Sequence, residues 1–418
     1  MMNILLKSAK IIDKTSPFHL KTKDILIEKG IITQIKKSIP EKKGVKIIRL
    51  KNLHISCGWF DTSVSFGEPG YEERENLDNG LNVAAKSGFT AVAVNPNTFP
   101  VIDNKSAVEY LINKTKNNIV NLHPIANFTK EAKGENMAEL YDMQNSGAIA
   151  FGDYNKAIAN VNLLKIGLQY AQDFNALILS FPQENSVANG VMNEGENSTT
   201  LGLKAIPTLA EELQIARDLF LLEYTAGKLH IPCISTEKSV KLINQAKKKG
   251  LDISCSVSAH HLCLTDDEIL DFNTNCKVSP PLRTKKDCKA LQKAVENGTI
   301  DMITSDHNPM DIEHKKVTFE NAKYGTIGLE SLFGAVNSVV TLESLIHSLT
   351  TNPRARFGLE KTSIDLNQKA NLTFFNPEDT YTFSEEHILS TSKNAAFLSK
   401  NLKGKVYGIY ANRKMMLS

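Results

Sequence analysis

The sequence lacks the cysteine spacings that mark a disulfide framework or a small zinc module. Six cysteines are spread over 418 residues, and no two of them form a Cys-x-x-Cys pair. They are Cys57, Cys233, Cys255, Cys263, Cys276 and Cys288. A reduced compartment is the simplest interpretation of such scattered thiols, so we expect a cytoplasmic protein.

The long apolar stretches of membrane and secreted proteins are missing as well. No run of the sequence approaches the ~20 apolar residues that cross a bilayer. Residues 1–7 do not combine a basic segment with a long apolar one. We therefore expect neither a membrane span nor a secretory signal.

The sequence also lacks an excess of charge of one sign. The formal net charge is +3, which is small for this length and gives no reason to expect nucleic-acid binding. The lysine runs, including residues 247–249, are interpreted as solvated surfaces. Hydrophobic residues make up 41% and charged residues 23%, which is typical of a globular protein with room for one large domain and a smaller one.

What the sequence does contain is an alternation of short apolar strands and helices between residues 53 and 365. Eight strand segments are predicted, and a helical segment precedes all but the first of them. The strand segments are 58–65, 91–94, 120–125, 148–151, 176–179, 229–231, 253–257 and 302–304. Eight such units predict an α/β fold with a closed (β/α)8 TIM barrel. An open doubly wound sheet is the alternative, but the Gly-rich dinucleotide turn that would favour it is missing.

The two ends of the chain share a pattern that differs from this alternation of strands and helices. Residues 1–52 and 366–418 contain short strands separated by polar or glycine turns. We predict that both ends together build one small β-sandwich domain, which flanks a barrel formed by residues 53–365.

The C-terminal ends of the barrel strands are where a TIM barrel carries its functional groups. Here these ends carry mainly Asp, Asn, Ser and His residues. The residues predicted there are Asp61, Ser63, Ser65, Glu68, Asn95, Asn97, Asn127, Asp153, Ser180, Cys233, His260, His261, Asp306 and His307.

A series of short motifs gives the sequence a specific resemblance. The motifs are Glu68-Pro69-Gly70, Pro96-Asn97-Thr98, Ala216-Arg217-Asp218, Ser235-Thr236, His260-His261-Leu262, residues 277–283 and Asp306-His307. Their order and spacing over nearly the whole chain resemble a dihydroorotase of the amidohydrolase superfamily. The resemblance implies a metal-bearing barrel with a small β domain and hydrolysis of a cyclic amide in pyrimidine synthesis. Hydantoinases and allantoinases are relatives of similar build.

The resemblance also implies a metal site that this chain does not reproduce. The family uses zinc to turn water into a nucleophile, and histidines and carboxylates suit that metal. By position, the chain keeps Asp153 and Asp306, and Asp306 is also the family's general base. The four histidine positions hold Ser63, Ser65, Phe181 and Cys233. Phe181 is placed by counting back from residues 191–193, and a shift of one residue would put Ser180 at that position instead. Only the Cys233 thiol could still bind zinc, and we interpret it as a small buried residue. We therefore expect no zinc, unless the site has been rebuilt.

The positions that bind substrate in the family are altered too. The arginine that holds the substrate carboxylate corresponds to Gly67, which cannot form a bidentate pair. Asn97 keeps its companion asparagine, whereas Ser279 replaces another. His307, beside Asp306, is the best surviving polar group and completes the candidate catalytic pair.

Three functions remain open at this point. The first is a non-catalytic dihydroorotase homologue with a structural role, for which the resemblance implies aspartate transcarbamoylase as a partner; we also expect a homodimer. The second is an active cyclic-amide hydrolase with a site rebuilt from Asp153, Asp306, His307 and Cys233. The third is a binding module in which Asn97 and the two aspartates recognise a small ligand. The joint loss of four ligands and one arginine favours the first.

Overall fold

Eight parallel strands form at the apolar segments that the alternation predicts. The computed structural model describes residues 3–418, so Met1 and Met2 of the predicted small domain lie outside the described residues. Each strand pairs with the next one along the chain. The strands are Trp59–Val64, Phe89–Val94, Asn121–Ala126, Ala150–Phe151, Ile178–Leu179, Leu229–Ile231, Ile253–Ser258 and Met302–Thr304. A parallel bridge between Val64 and His307 joins the first strand to the eighth. The predicted (β/α)8 barrel is confirmed.

Helices cover the outside of the barrel, and side-chain caps fix where several of them begin. Asn76 accepts the N–H of Asn79, and Thr236 accepts the N–H of Ser239, so each satisfies a backbone donor that the helix itself cannot. The α-helices of the described chain are Leu77–Lys86, Lys105–Lys114, Leu140–Asn145, Val161–Tyr170, Glu196–Leu201, Thr208–Thr225, Glu237–Lys248, Ala259–Cys263, Lys285–Glu296, Ile312–Lys315, Leu332–Val336, Leu342–Leu349 and Thr351–Arg356. None of these helices in residues 3–418 is both long and apolar enough to cross a membrane.

The interior of the barrel is packed by side chains of complementary size. Phe60 from the first strand lies in one cluster with Ala91 and Ala93 from the second and with Met302 from the eighth. All of these side chains are buried. Strands that are buried along their whole length are typical of a parallel sheet covered by helices. The filled interior leaves the C-terminal ends of the strands as the place for a site.

Both ends of the chain build one further sheet. Its eight strands are Asn3–Ile11, Thr22–Glu28, Ile31–Lys36, Val45–Ile48, His54–Cys57, Leu372–Thr382, Asn401–Ala411 and Lys414–Leu417. They belong to a single hydrogen-bonded sheet, where the sequence suggests a sandwich. Strand His54–Cys57 joins the two ends, because it pairs with Leu372–Thr382 on one side and with Asn3–Ile11 on the other.

Gly58 marks the passage from this sheet into the barrel. A Cβ atom at this position would lie 1.9 Å from Asn371 Oδ1 and 2.2 Å from Thr90 Oγ1. The chain therefore needs glycine here, and the first barrel strand begins at the next residue, Trp59.

Candidate functional site

A buried carboxylate joins the first barrel strand to the segment that follows the eighth. Asp61 accepts the N–H of Ser63 at 3.1 Å, the N–H of Ser305 at 3.0 Å and the hydroxyl of Thr304. Burial raises the pKa of Asp61, and these donors oppose the shift. The contacts hold the two strand ends together, so that Ser63 and Asp306 lie side by side at the mouth of the barrel.

Two serines and an asparagine form a hydrogen-bonded chain that ends at Asp306, just after the eighth strand. Ser63 Oγ donates to Asp306 Oδ1 at 3.1 Å. Asn95 Nδ2 donates to Ser63 Oγ at 3.1 Å and to Ser65 Oγ at 3.2 Å. Residues two apart on a strand point the same way, which is why one amide reaches both hydroxyls. We refer to Asp61, Ser63, Asn95, Thr304 and Asp306 as the polar wall.

Asp306 has the electrostatics of a carboxyl group that titrates near neutral pH. Burial raises its pKa to about 7; the hydrogen bond from Ser63 lowers it, the charge of Asp61 raises it, and the hydroxyl of Tyr154 lowers it. Tyr154 Oη lies 3.4 Å from Asp306 Oδ1. Burial raises the pKa of Tyr154 well above its ordinary value, so the hydroxyl stays protonated as a donor.

The opposite side of the mouth is apolar. It is formed by Leu179, Phe181, Pro232 and Cys233, which we call the apolar wall. Burial raises the pKa of the Cys233 thiol well above its ordinary value, with Asp306 and Asp61 adding to the shift, so the thiol keeps its proton. Ser180 instead donates to Asp218 at 2.6 Å. Phe181, not Ser180, therefore faces the cavity.

The cavity between the two walls is narrow. It leaves about 20 Å³ for the centres of water molecules, which is room for one or two waters. A ligand with a six-membered ring does not fit unless a lining side chain such as Tyr154 or Phe181 moves. Ser279 is also part of the lining. Its loop is held by His261, whose Nε2 lies 2.9 Å from the carbonyl oxygen of Pro280.

Asp153 lies apart from the polar wall. Its Oδ1 accepts the backbone N–H groups of Phe128 and Thr129 at 3.0 and 3.1 Å and the side-chain amide of Asn127 at 3.2 Å. It is not among the side chains that line the cavity. Asp153 thus fastens the loop after the third strand, while the next residue, Tyr154, reaches Asp306. The sequence analysis did not select Tyr154 as a site residue. The only feature of the sequence that pointed to it was its place next to Asp153 at a strand end.

His307 does not work as a partner of Asp306 in this arrangement. Its Nδ1 accepts the backbone N–H of Gly328 at 3.1 Å, which places the ring proton on Nε2. Within residues 3–418, Nε2 has no hydrogen-bond partner. Burial lowers the pKa of His307 to about 4, so the ring is neutral. The imidazole is buried against Phe66 and does not line the cavity.

The predicted substrate-binding positions differ from the family pattern in backbone conformation as well as in residue type. A Cβ atom at Gly67 would lie 1.8 Å from the carbonyl oxygen of Tyr71. Gly67 also donates its N–H to the carbonyl of Glu75 and accepts the N–H of Tyr71, both at 2.8 Å. The loop leaves no room for any side chain there, an arginine included. Asn97 lies outside the cavity lining, and its buried Oδ1 finds no donor in the described chain.

The donors at this mouth do not fit a zinc centre of the family type. Over residues 3–418, no three His, Cys, Asp or Glu side chains are grouped so that they could hold a metal ion. The groups that contact Asp306 are hydroxyls, and the cavity adds one amide and a protonated thiol, whereas zinc prefers imidazole, thiolate and carboxylate. The nearby carboxylate of Asp61 and the imidazole of His230, which also lines the cavity, are already hydrogen-bonded within the protein. What the arrangement can do is hold a proton on Asp306 near neutral pH and offer hydrogen bonds to a very small polar molecule.

Comparison with known proteins places this chain in a family. A family model described as "Dihydro-orotase-like" matches residues 54–239, and one described as "Amidohydrolase family" matches residues 206–412. A curated protein named Dihydroorotase from Geobacter metallireducens is 36% identical over 96% of this chain and 96% of its own length. Another of that name, from Ruminiclostridium cellulolyticum, is 38% identical over 97% of this chain and 96% of its own.

Solved structures show the same fold at lower identity. An L-hydantoinase (dihydropyrimidinase) from Arthrobacter aurescens superposes with a TM-score of 0.87 at 19% identity, covering 100% of this chain and 96% of that one. A D-hydantoinase crystal structure gives a TM-score of 0.84, also at 19% identity, over 100% and 95% of the two chains. These likenesses concern the barrel and the sheet beside it.

Proposed function

Because this chain belongs to the dihydroorotase family of amidohydrolases, we propose that it is a dihydroorotase-like protein of pyrimidine biosynthesis that has lost zinc-dependent hydrolysis and has a structural role. The observation that carries the proposal is the donor set at the mouth. Asp306 accepts hydrogen bonds from Ser63 and Tyr154, Asn95 donates to Ser63, and the facing wall presents Phe181 and a protonated Cys233.

The substrate positions support the same proposal by a separate route. The loop at Gly67 excludes a side chain that could hold a carboxylate, because the Cβ position is taken by the Tyr71 carbonyl. Loss of the metal donors and loss of the carboxylate clamp have different structural causes. No single substitution can therefore reverse both of them.

For the structural role we propose a partner and a place. The resemblance implies that some non-catalytic dihydroorotase homologues assemble with aspartate transcarbamoylase, and we propose that enzyme as the partner of this chain. The proposed location is the cytoplasm, because thiols stay reduced there and pyrimidine synthesis takes place there.

The first experiment measures metal and activity together. The full chain is purified without chelator, its zinc is counted by mass spectrometry, and hydrolysis of dihydroorotate is followed. The Geobacter metallireducens relative, prepared in the same way, is the positive control. We expect far less than one zinc per chain and a rate no higher than that of the Asp306→Asn variant. Stoichiometric zinc with hydrolysis that Asp306→Asn abolishes contradicts the proposal.

The second experiment tests the partner. The chain is mixed with the aspartate transcarbamoylase of the same organism and separated by size-exclusion chromatography. We expect the two to elute together and the transcarbamoylase to become more resistant to heat. Separate elution at high concentration contradicts the structural role, whatever the zinc content is.

An active hydrolase with a rebuilt site is the second candidate. Two observations favour it: the relatives at 36 to 38% identity are named Dihydroorotase, and Asp306 has a pKa of about 7. A carboxyl group with that pKa suits a general base at neutral pH. The base must lose its proton to act, so this candidate requires a hydrolysis rate that rises as pH passes through about 7. A flat profile at the level of Asp306→Asn excludes it.

A further inference from the structure

A second and larger cavity lies where the barrel meets the sheet built from both chain ends. The helices Leu77–Lys86 and Leu332–Val336 pack against strand Asn401–Ala411 there. This cavity leaves about 210 Å³ for the centres of water molecules, against about 20 Å³ at the barrel mouth. It has room for on the order of 15 waters, which is enough for a small organic molecule. We call it the junction cavity.

The helix and the strand beside the junction cavity approach each other closely because each carries a glycine. Gly404 has a φ of 116°, and a Cβ atom there would lie 2.6 Å from the ring of Phe333. A Cβ atom on Gly334 would lie 2.9 Å from Leu402. Phe333 lines the cavity and packs on Trp59, with 4.9 Å between the ring centroids. This side of the cavity is therefore aromatic and firmly packed.

The strand Leu372–Thr382 bulges beside the junction cavity. Residues 377–379 stand opposite Gly404 alone, so the strand carries extra residues at this point. A bulge changes the direction of the side chains next to it and is common beside functional sites. Asp379 is one of the extra residues, and its side chain lines the cavity.

Glu330 brings a second carboxylate to the lining. Its Oε1 accepts the N–H and the hydroxyl of Ser390 at 3.0 and 2.6 Å. Its Oε2 is buried and has no hydrogen-bond partner within residues 3–418. Burial, followed by the charges of Asp379 and Glu330, raises the pKa of Tyr381 to about 12, so both carboxylates act on the same ring. A buried carboxylate oxygen without a donor is costly, and a ligand that brings a donor relieves the cost.

Two lysines add the opposite charge to the same lining. They are Lys86 and Lys405. Lys403, on the same strand, pairs with Glu378 at 3.2 Å. In the part of the chain that the structure describes, no ion pair includes Lys86, Lys405 or Asp379. The junction cavity thus presents both signs of charge, and they do not neutralise each other within it.

We propose that the junction cavity binds a small zwitterion of the amino-acid type, with an ammonium group, a carboxylate and an apolar side chain. The ammonium group donates to Glu330 and Asp379, and the carboxylate pairs with Lys86 and Lys405. The apolar side chain packs against the ring of Phe333. A ligand with only one charge leaves half of the charged lining unmatched, which is why a zwitterion is favoured over a simple amine or acid.

Titration calorimetry with three probes tests the need for both charges. L-phenylalanine has both charges, phenethylamine lacks the carboxylate, and 3-phenylpropionate lacks the ammonium group. We expect L-phenylalanine to bind the full chain and each analogue to bind about 10-fold or more weakly, as for the loss of a hydrogen bond between charged groups. No binding of L-phenylalanine at millimolar concentration, or equal affinity for the three probes, overturns the proposal.

Two variants test which residues match each charge. Glu330→Gln keeps an oxygen for Ser390, and we expect it to weaken binding of L-phenylalanine and phenethylamine about 10-fold but not that of 3-phenylpropionate. Lys405→Met should weaken binding of L-phenylalanine and 3-phenylpropionate but not that of phenethylamine. Lys116→Met is the matched control, because Lys116 is exposed and lies outside the junction cavity. Variants that leave all three affinities unchanged overturn the proposal.

Two further measurements fix the place of binding. Thermal unfolding confirms that each variant folds, and Asp379→Asn takes the place of Glu330→Gln if the latter does not. Trp59 is the single tryptophan and lies against Phe333, so its fluorescence should change when L-phenylalanine binds. Asp306→Asn should bind L-phenylalanine as the wild type does, and loss of binding in that variant would place the ligand at the barrel mouth and overturn the proposal. The proposal depends neither on the loss of zinc chemistry nor on a protein partner.

Discussion

The two walls of the barrel mouth are built by the same fold and differ in almost every chemical respect. The polar wall comes from the first, second and eighth strands, and its buried carboxylates are held by hydroxyl and amide donors. The four residues of the apolar wall follow the fifth and sixth strands and present carbon atoms and one protonated thiol, while His230 and Ser256 line the cavity beside them. A metal ion between the walls would need donors from both.

The contrast shows how residues of the chain itself satisfy the buried carboxylates of the mouth. In the polar wall, Asp61 has three hydrogen-bond donors. Asp306 is protonated part of the time near neutral pH, which lowers the negative charge that the wall must accommodate. Buried carboxylates are costly only when they are charged and unpaired. The apolar wall has nothing to pair, and so Phe181 can close the cavity at no electrostatic cost.

The largest expected effect comes from placing a charge on the apolar wall. Phe181→Asp puts a carboxylate among apolar side chains in the cavity that Asp306 also lines, so we expect a loss of about 4 to 5 kcal/mol in the free energy of unfolding. Urea denaturation measures it. Phe99→Asp is the matched control, because Phe99 is 68% exposed, and should change stability little. Similar losses for both variants would mean that water reaches position 181. The apolar wall would then not differ from the surface in its cost for a charge.

The next effect is a pH dependence that only the polar wall supplies. The pKa of Asp306 is raised from 3.8 to about 7, so the folded state holds its proton more tightly than the unfolded chain does. Stability from this group is complete below about pH 4 and is lost as pH rises through about 7. Asp306→Asn keeps the neutral form at every pH. It should match wild type at pH 4 and be more stable at pH 8, by roughly 2 to 4 kcal/mol.

The control for this profile is Asp271→Asn, since Asp271 lies on the surface. Denaturation curves at several pH values between 4 and 8 give the difference between each variant and wild type. A difference for Asp306→Asn that stays constant over this range would mean that Asp306 ionises as in the unfolded chain. The polar wall would then have no protonated member.

A smaller effect is expected at the rim beside the polar wall. Gly67→Ala forces a Cβ atom against the Tyr71 carbonyl, which lies 1.8 Å from the ideal position, so we expect a loss of about 2 kcal/mol. Thermal unfolding measures it. Gly195→Ala is the control, because the nearest atom to its Cβ position lies 3.8 Å away. If Gly67→Ala leaves the stability unchanged, the loop is mobile enough to accept a side chain. A substitution at position 67 could then restore a side chain that binds the substrate carboxylate.

The barrel could be predicted from the sequence because its strands are continuous apolar segments. Strand Met302–Thr304 begins and ends where expected, and strand Phe89–Val94 begins two residues before the predicted segment. The sequence did not predict strand His54–Cys57 as part of the small sheet. Nothing in a short buried segment says which of two sheets it joins, and the hydrogen bonds to residues 372–375 decide it.

The site could be predicted in part. The positions of Ser63, Phe181, Cys233 and Asp306 all line one cavity, as the motif order implies. The sequence could not separate Asp153 from Tyr154, because the backbone turns after the strand end and Tyr154 takes a φ of 55°. In such a loop the alternation of facing directions no longer holds.

The smallest expected effect concerns the hydroxyl that reaches Asp306 from the fourth strand end. Tyr154→Phe removes a donor 3.4 Å from Oδ1, so the pKa of Asp306 should rise above about 7 and stability at pH 8 should fall by less than about 1 kcal/mol. Carboxyl NMR measures the pKa directly. Tyr324→Phe, which loses only a bond to the Gly190 carbonyl, should leave it unchanged.

The comparison with Ser63→Ala decides what this hydroxyl contributes. Ser63 donates to the same oxygen at 3.1 Å, and a shorter bond to a carboxylate is a stronger one. Ser63→Ala should therefore raise the pKa of Asp306 more than Tyr154→Phe does. If the order is reversed, Tyr154 is the main donor to Asp306. The polar wall would then depend on a side chain from outside it, and the division of the mouth into two walls would have to be redrawn around the fourth strand.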